Sequence, residues 1–167
     1  MKRLEQFFPV GIEPKQEFMW MGLGLGAAFL YSAGFLIALG SAYQNLFSNR
    51  GGVRRLLERA VMPDFGYLLG RGLAGFLVVA LCMTGLAAYH YAYHFQGSKS
   101  IYLMRRLPQR WELLRRCVTA PALGAVAALV LAVVTLFVYY GVYLLVTPAS
   151  CLMGGQWERL WQYMIGG

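Results

Sequence analysis

Charge is scarce in this sequence, and it is missing altogether from long apolar stretches. Only 13% of the 167 residues are charged, and the 25 residues from Met19 to Tyr43 contain none. Apolar residues make up 59% of the chain, against about 45–50% in a typical soluble domain. Because a soluble protein needs charge over its surface, this distribution excludes an ordinary soluble domain and predicts helices solvated by lipid.

Several features that catalysis or cofactor binding would require are also lacking. The predicted spans hold no cluster of acidic or nucleophilic residues, so we expect no catalysis by this chain alone. No Walker A glycine–lysine motif is present, which predicts that the chain does not hydrolyse ATP itself. The three cysteines, Cys82, Cys117 and Cys151, have no CxxC spacing, so we interpret them as free thiols. No cleavable signal peptide is predicted, because the first apolar run is too long for one.

The apolar residues form three blocks, which predict an all-α membrane protein with three transmembrane helices. The three-span membrane domain covers about 18–147, with spans at about 18–47, 66–95 and 121–147. Pro121 is placed at the start of the third span, where a missing N–H does no harm. Arg71 lies near the start of the second span and can extend its side chain to the interface.

Short amphipathic segments accompany the spans. Residues 53–60 alternate apolar and basic side chains at helical spacing, which predicts a short helix along the membrane surface. Residues 1–17 form a cytoplasmic or interfacial N-terminal segment, interpreted equally well as a polar tail. The C-terminal segment 148–167 contains a second predicted interfacial helix at 156–165, with one apolar face: Trp157, Leu160, Trp161 and Met164.

Glycines within the predicted spans are suited to close contact between helices. In a bilayer, helices associate through small residues that let their backbones approach. We therefore predict that five glycines pack against other membrane chains: Gly22, Gly26, Gly34, Gly66 and Gly70.

The basic residues favour one orientation in the membrane and a lipid partner. The sequence has 15 Lys and Arg against 7 Asp and Glu, and these charges flank the apolar blocks, where they meet anionic headgroups rather than nucleic acid. Nine basic residues lie on the side shared by the N-terminus and the second connection, against six on the other side. Cationic loops prefer the cytoplasm, so the N-terminus is predicted to be cytoplasmic.

The second connection, residues 97–117, is the most informative segment for function. Its Leu107-Pro108 pair separates two predicted short helices, because proline disfavours helical geometry at the residue before it. The second of these helices places Trp111, Leu114 and Val118 on one face. Such a helix can dock into a groove on a soluble partner, and it can equally be a basic loop anchored by Trp111 among the headgroups.

The run Ser98–Leu114, with its core Leu-Pro-Gln-Arg-Trp-Glu-Leu-Leu at 107–114, resembles the cytoplasmic coupling segment of bacterial ABC-transporter permeases of the drug- and polysaccharide-exporter class. The resemblance covers about 25 residues closely and about 130 by the order of elements. It implies six residues that contact an ATPase: Arg106, Leu107, Pro108, Arg110, Trp111 and Glu112.

This resemblance implies a permease-like subunit in the bacterial plasma membrane. ATP and Mg would be held by a separate ATP-binding subunit, and this chain would carry no cofactor. Permeases of the class have six spans where three are predicted here, so further permease chains, in a homo- or hetero-oligomer, would be needed. An accessory or degenerate relative fits the same pattern. The lack of a charged pocket favours an apolar, lipid-like or peptide cargo.

Two other classes of protein stay open. His90 and His94 are four residues apart and share a helix face, a spacing that can bind zinc or haem with a further ligand. No Glu, Asp or Cys stands beside them in the sequence, so the metal site is a weak candidate. The other class is a structural or regulatory membrane subunit that binds a partner through its glycine-rich faces.

Overall fold

The structure is a computed structural model that describes residues 14–50, 53–57, 61–96, 111–152 and 154–166. Within these ranges it describes the backbone alone for 14, 48–50, 53–56, 93–96, 111–114, 116, 157 and 163–166. The described residues form helices α1 (Pro14–Ser32), α2 (Gly34–Asn45), α3 (Phe65–Leu69), α4 (Ala74–Gln96), α5 (Trp111–Val146) and α6 (Gln156–Gly166). A short hairpin of β1 (Phe47–Arg50) and β2 (Val53–Leu56) follows α2.

Three helical stretches are long and apolar enough to cross a membrane, namely Lys15–Asn45, Ala74–Ala92 and Cys117–Val146. Their large apolar side chains are strongly exposed, as at Ile37 (77%) and Leu145 (88%). Side chains exposed in this way suit a lipid environment, because contact with lipid avoids the free-energy cost of exposing apolar surface to water. The prediction of an all-α membrane protein with three transmembrane helices is confirmed.

The first span is two helices that join at Ala33. Ser32 Oγ donates a hydrogen bond to the Phe29 carbonyl oxygen at 2.7 Å, and Leu36 N donates to the Ala33 carbonyl oxygen. The first bond draws a side chain onto the helix backbone, and the second tightens the turn to an i→i+3 pattern.

The second span begins at Ala74 rather than at Gly66. The reason is Gly70, whose φ of +46° ends α3 and is strained for any residue with a Cβ. Gly66 and Gly70 therefore precede α4, and their packing against another membrane chain stays a prediction. Arg71 is exposed and lies in the turn between α3 and α4, outside the spanning helix.

The helix predicted at 53–60 is wrong where the structure describes it. Val53–Leu56 is a strand that pairs antiparallel with Phe47–Arg50, so that Arg50 lies opposite Val53. In the sequence, Gly51-Gly52 stands between the paired strands, and such a pair favours the two-residue turn of a hairpin. Leu57 N adds a hydrogen bond to the Leu46 carbonyl oxygen at 3.1 Å.

The third span belongs to a helix that is longer than predicted. We expected a separate helix around Trp111 and a new start at Pro121, but α5 runs without a break from Trp111 to Val146 with Pro121 inside it. A proline in this position lacks the N–H that would bond to the carbonyl of Cys117. The apolar packing of the helix is therefore sufficient to carry it through one missing bond.

The described chain divides into two compact units. Unit 1 comprises Met1–Ala28 and Gly75–Ala132, and unit 2 comprises Phe29–Ala74 and Val133–Gly167. In unit 1, glycines set the helix spacing. A Cβ on Gly75 would lie 3.0 Å from the Ala28 Cα, and a Cβ on Gly124 would lie 2.9 Å from the Met21 sulfur. Helices α1, α4 and α5 therefore approach closely within this unit.

Unit 2 is organised around aromatic rings. Phe35 stacks on Tyr139 with ring centroids 4.8 Å apart and meets Phe65 edge-on at 5.5 Å. Hydrogen bonds tie α5 to the end of α1 and to the segment before α3: Ser32 Oγ lies 3.0 Å from Tyr139 Oη, and Tyr143 Oη donates to the Pro63 carbonyl oxygen at 3.0 Å. Stacked and edge-on rings add stability beyond the area that they bury.

Helix α6 is present at Gln156–Gly166, as predicted, and it packs on α3. Leu160 is only 2% exposed and belongs to the core of unit 2, whereas Trp161 is 49% exposed. The Phe65 N–H donates to Gln156 Oε1 at 3.2 Å, and Arg159 contacts Asp64 at 3.1 Å. The predicted apolar face is thus partly used for packing within the protein rather than for contact with lipid alone.

Candidate functional site: a buried glutamate–histidine pair

One ionisable pair lies buried within unit 1. Glu17 stands in the first turn of α1, where a carboxylate is favoured by the helix dipole, and His90 lies on α4. His90 Nε2 is 2.9 Å from Glu17 Oε1, and the side chains are 4% and 16% exposed respectively. Ionisable groups within membrane spans are rare and are usually paired, which makes this pair the leading candidate for a functional site.

The contact is an ion pair by distance, although its geometry is not that of a regular hydrogen bond. Nδ1 of His90 is also buried and has no hydrogen-bond partner among the residues that the structure describes. Attraction between opposite charges is stronger at low dielectric than in water. Because a buried unpaired charge is costly, each member of the pair needs the other.

A small pocket of about 20 Å³ adjoins the pair, which is room for about one water molecule. Glu17 is its only ionisable lining residue. The rest of the wall comes from the same three helices: Phe18, Met21, Met83, Leu86, Ala120 and Pro121. A carboxylate therefore faces flexible methionine side chains, which adapt readily to small changes in helix position.

The pair lies near one boundary of the membrane. Glu17 is two residues from the start of the first span at Lys15, and His90 is two residues from the end of the second span at Ala92. The second connection leaves α4 just beyond this boundary, after Gln96. The pair therefore joins α1 and α4 at the end of the spans that adjoins the proposed coupling segment.

The sequence analysis missed this pair. It assigned Glu17 to the polar segment 1–17, and it found no acidic residue beside His90. The fold supplies a partner that neighbours along the sequence do not, because α1 begins at Pro14 and brings Glu17 against His90 on α4. Equal depth from a shared boundary is the sequence signal that would have linked the two residues.

The Glu17–His90 contact bears on the metal site predicted at His90 and His94. Nε2 of His90 faces Glu17, so it does not point toward a free ligand position in this arrangement. The side chain of His94 lies outside the described part. Among the residues described, no three His, Cys, Asp or Glu side chains lie together as metal ligands would.

The predicted ATPase-contacting residues fall mainly in the second connection. Arg106, Leu107, Pro108 and Arg110 lie outside the described residues. Trp111 and Glu112 are the first two residues of α5, described by their backbone alone. Their helical state is therefore established, and their contact with an ATPase stays a prediction.

The predicted packing glycines differ in their surroundings. A Cβ on Gly22, Gly26 or Gly34 would meet no described atom within 4 Å, so these positions leave open space for a neighbouring chain. Their contact with another chain stays a prediction. The close approaches within the protein are made instead by glycines that the sequence analysis did not single out: Gly24, Gly75 and Gly124.

The fold and the buried pair define an all-α membrane protein with three spanning helices. Comparison with protein families, with curated proteins and with solved structures finds no match for this chain.

Proposed function

We propose that the chain is a permease-like membrane subunit of a bacterial ABC exporter, working with a separate ATP-binding subunit. The chain would lie in the plasma membrane with its N-terminus in the cytoplasm. The partner would hold ATP and Mg, and this chain would not be catalytic by itself. A transport path would need further permease chains beside it.

The observation that carries this proposal is the continuity of α5. The helix begins at Trp111, inside the segment that resembles an ABC coupling segment, and runs 36 residues to Val146. At 1.5 Å per residue it is about 54 Å long, whereas the hydrocarbon layer is about 30 Å thick. Because the first six residues of α5 continue directly into the candidate span Cys117–Val146, a displacement of the first turn can pass to the adjoining turns of the span.

The buried pair supplies a second element of the mechanism. Glu17 and His90 hold α1 against α4 at the membrane boundary from which the second connection leaves. A push on the connection would then move α4 and α1 together rather than separate them. In this interpretation Glu17 and His90 are positioning residues for coupling.

The competing function is that of a structural or regulatory membrane subunit without an ATPase. The open space around Gly22 and Gly26 on α1 favours it, because that surface suits contact with another membrane helix. The two functions differ in one requirement, since only the permease must bind and couple a soluble ATPase.

The test is an affinity pulldown of the tagged full chain from mild detergent, followed by mass spectrometry. We expect a soluble ATP-binding subunit to co-purify and to be lost in the P108A/W111A variant. In the reconstituted complex, R110E/E112R should uncouple ATP hydrolysis from transport without changing membrane insertion. The matched control is D64R/R159D, which reverses two charges in unit 2 and should leave coupling unchanged.

Failure to recover any ATP-binding subunit would contradict the proposal. A complex in which R110E/E112R couples ATP hydrolysis to transport as well as the D64R/R159D control does would also contradict it. Recovery of another membrane chain that is lost in G22L/G26L, with no ATPase present, would instead support the structural subunit.

A further inference from the structure

A groove in unit 2, here termed the interfacial groove, is separate from the buried pair. It has a volume of about 380 Å³ and is formed by the end of α2, the residues flanking the hairpin, and α3. Its walls are mainly apolar, with Ala38, Ala42, Leu57, Val61 and Leu68 among the lining residues. A volume of this size falls within the range of about 300–1,000 Å³ that is typical of ligand pockets.

The groove opens at the edge of the bilayer. Ala38 and Asn45 both line it, and Asn45 is the last residue of the first span. The seven-residue separation along the helix corresponds to about 10 Å of depth. The groove therefore runs along the last two turns of an apolar helix long enough to span the membrane, where lipid acyl chains are the expected neighbours.

The neighbouring segment is strongly basic. Residues 47–60 contain four arginines and one glutamate: Arg50, Arg54, Arg55, Arg59 and Glu58. The hairpin backbone places Arg54 opposite Asn49 and Arg55 opposite Ser48. Its base is closed by the bond from Leu57 N to the Leu46 carbonyl oxygen, and both of these residues line the groove.

An apolar groove and a basic segment thus adjoin at the membrane boundary. Juxtamembrane arginines attract anionic lipid headgroups, and guanidinium groups match the geometry of phosphate. We propose that the interfacial groove binds one acyl chain of an anionic phospholipid, whose headgroup is attracted by the positive charge of the adjoining basic segment.

This proposal is independent of the ABC-exporter function. The experiment uses the purified, delipidated full chain in mild detergent. Phosphatidylglycerol and phosphatidylcholine with identical acyl chains are added separately, and bound lipid is counted by native mass spectrometry. We expect wild-type protein to retain phosphatidylglycerol in preference to phosphatidylcholine.

Two variants separate headgroup from chain recognition. R54Q/R55Q should weaken phosphatidylglycerol binding by roughly 30-fold, since each interfacial arginine contributes about 1 kcal/mol of attraction. A38F fills the groove and should reduce binding of both lipids. V61W fills the groove from an exposed position and serves if A38F does not fold. The control R115Q/R116Q removes two arginines elsewhere and should bind lipid as the wild type does.

Equal binding of the two lipids by wild-type protein would overturn the proposal. So would equal losses in R54Q/R55Q and in the control, because the effect would then reflect net charge alone. A dimer that disappears in A38F or V61W while lipid counts stay constant would assign the groove to a second copy of the chain and also overturn it.

Discussion

Within unit 1 the helices approach through glycine and methionine, whereas within unit 2 they are held by aromatic rings and hydrogen bonds. Gly75 brings its backbone against Ala28, while Phe35 stacks on Tyr139. Contacts through small residues depend on backbone position, and ring stacks depend on side-chain shape. The comparison suggests that unit 2 tolerates the loss of a single polar contact better than unit 1 tolerates the loss of its ion pair.

The largest effect is expected from the buried pair of unit 1. Replacing His90 with Leu leaves the Glu17 carboxylate buried without its partner, which should lower the free energy of unfolding by about 3–5 kcal/mol. The double variant E17L/H90L removes both ionisable groups and should recover most of this loss. Unfolding in mixed micelles of increasing SDS content measures both. Equal stability of the single and double variants would show that the two residues are not coupled.

A smaller loss of stability in unit 1 should follow from placing a Cβ in the close contact between α4 and α1. In Gly75→Ala the new Cβ would lie 3.0 Å from the Ala28 Cα, so the helices must separate, at a cost of about 1–3 kcal/mol. Gly85 lies on the same helix with no described atom within 4 Å. Gly85→Ala is therefore the matched control and should be neutral or slightly stabilising. The same SDS titration compares them, and identical midpoints would contradict the packing described.

Unit 2 should respond more weakly to a polar deletion. Tyr139→Phe removes the 3.0 Å contact with Ser32 Oγ but keeps the stack on Phe35. Ser32 still donates to the Phe29 carbonyl oxygen, so no buried donor is left without a partner. We expect a loss of about 0.6 kcal/mol, as is usual for hydrogen bonds between membrane helices. A loss of stability as large as that expected for H90L would show that unit 2 depends on its polar contacts as strongly as unit 1 does.

The smallest effect is expected at the Asp64–Arg159 pair of unit 2. The Arg159 side chain is 40% exposed, so water and salt screen the interaction. Asp64→Asn should lower stability by no more than about 0.5 kcal/mol, and the difference should shrink as salt is raised. Thermal unfolding at low and high salt tests this, with E158Q as a control on an exposed carboxylate. A salt-independent loss would indicate that the pair acts as a buried one.

The spans could be predicted from sequence because the bilayer itself selects length and apolar composition. The ends of the spans were harder to predict. The second span starts at Ala74 because of a backbone conformation at Gly70, which hydropathy does not register. The periodicity of 53–60 matched a helix, but the pairing of Val53–Leu56 with Phe47–Arg50 prevailed. Tertiary and cross-strand contacts commonly override local spacing in this way.

The Glu17–His90 pair could not be predicted from the sequence, for a related reason. Glu17 and His90 are 73 residues apart in the chain, and their contact depends on how α1 and α4 are aligned. Sequence spacing identified His90 and His94 as a local pair, since only local partners can be read from periodicity. The relevant partner of His90 came from another helix.

The contact between α6 and α3 also imposes an order in time. Gln156 accepts a hydrogen bond from the Phe65 N–H, 91 residues earlier in the chain. A ribosome that adds about 5–20 residues per second needs roughly 5–18 s to make that interval. During this delay the Phe65 N–H in the first turn of α3 lacks its acceptor, Gln156. Unit 2 therefore gains this hydrogen bond, and the buried Leu160 side chain of its core, only after α6 has been synthesised.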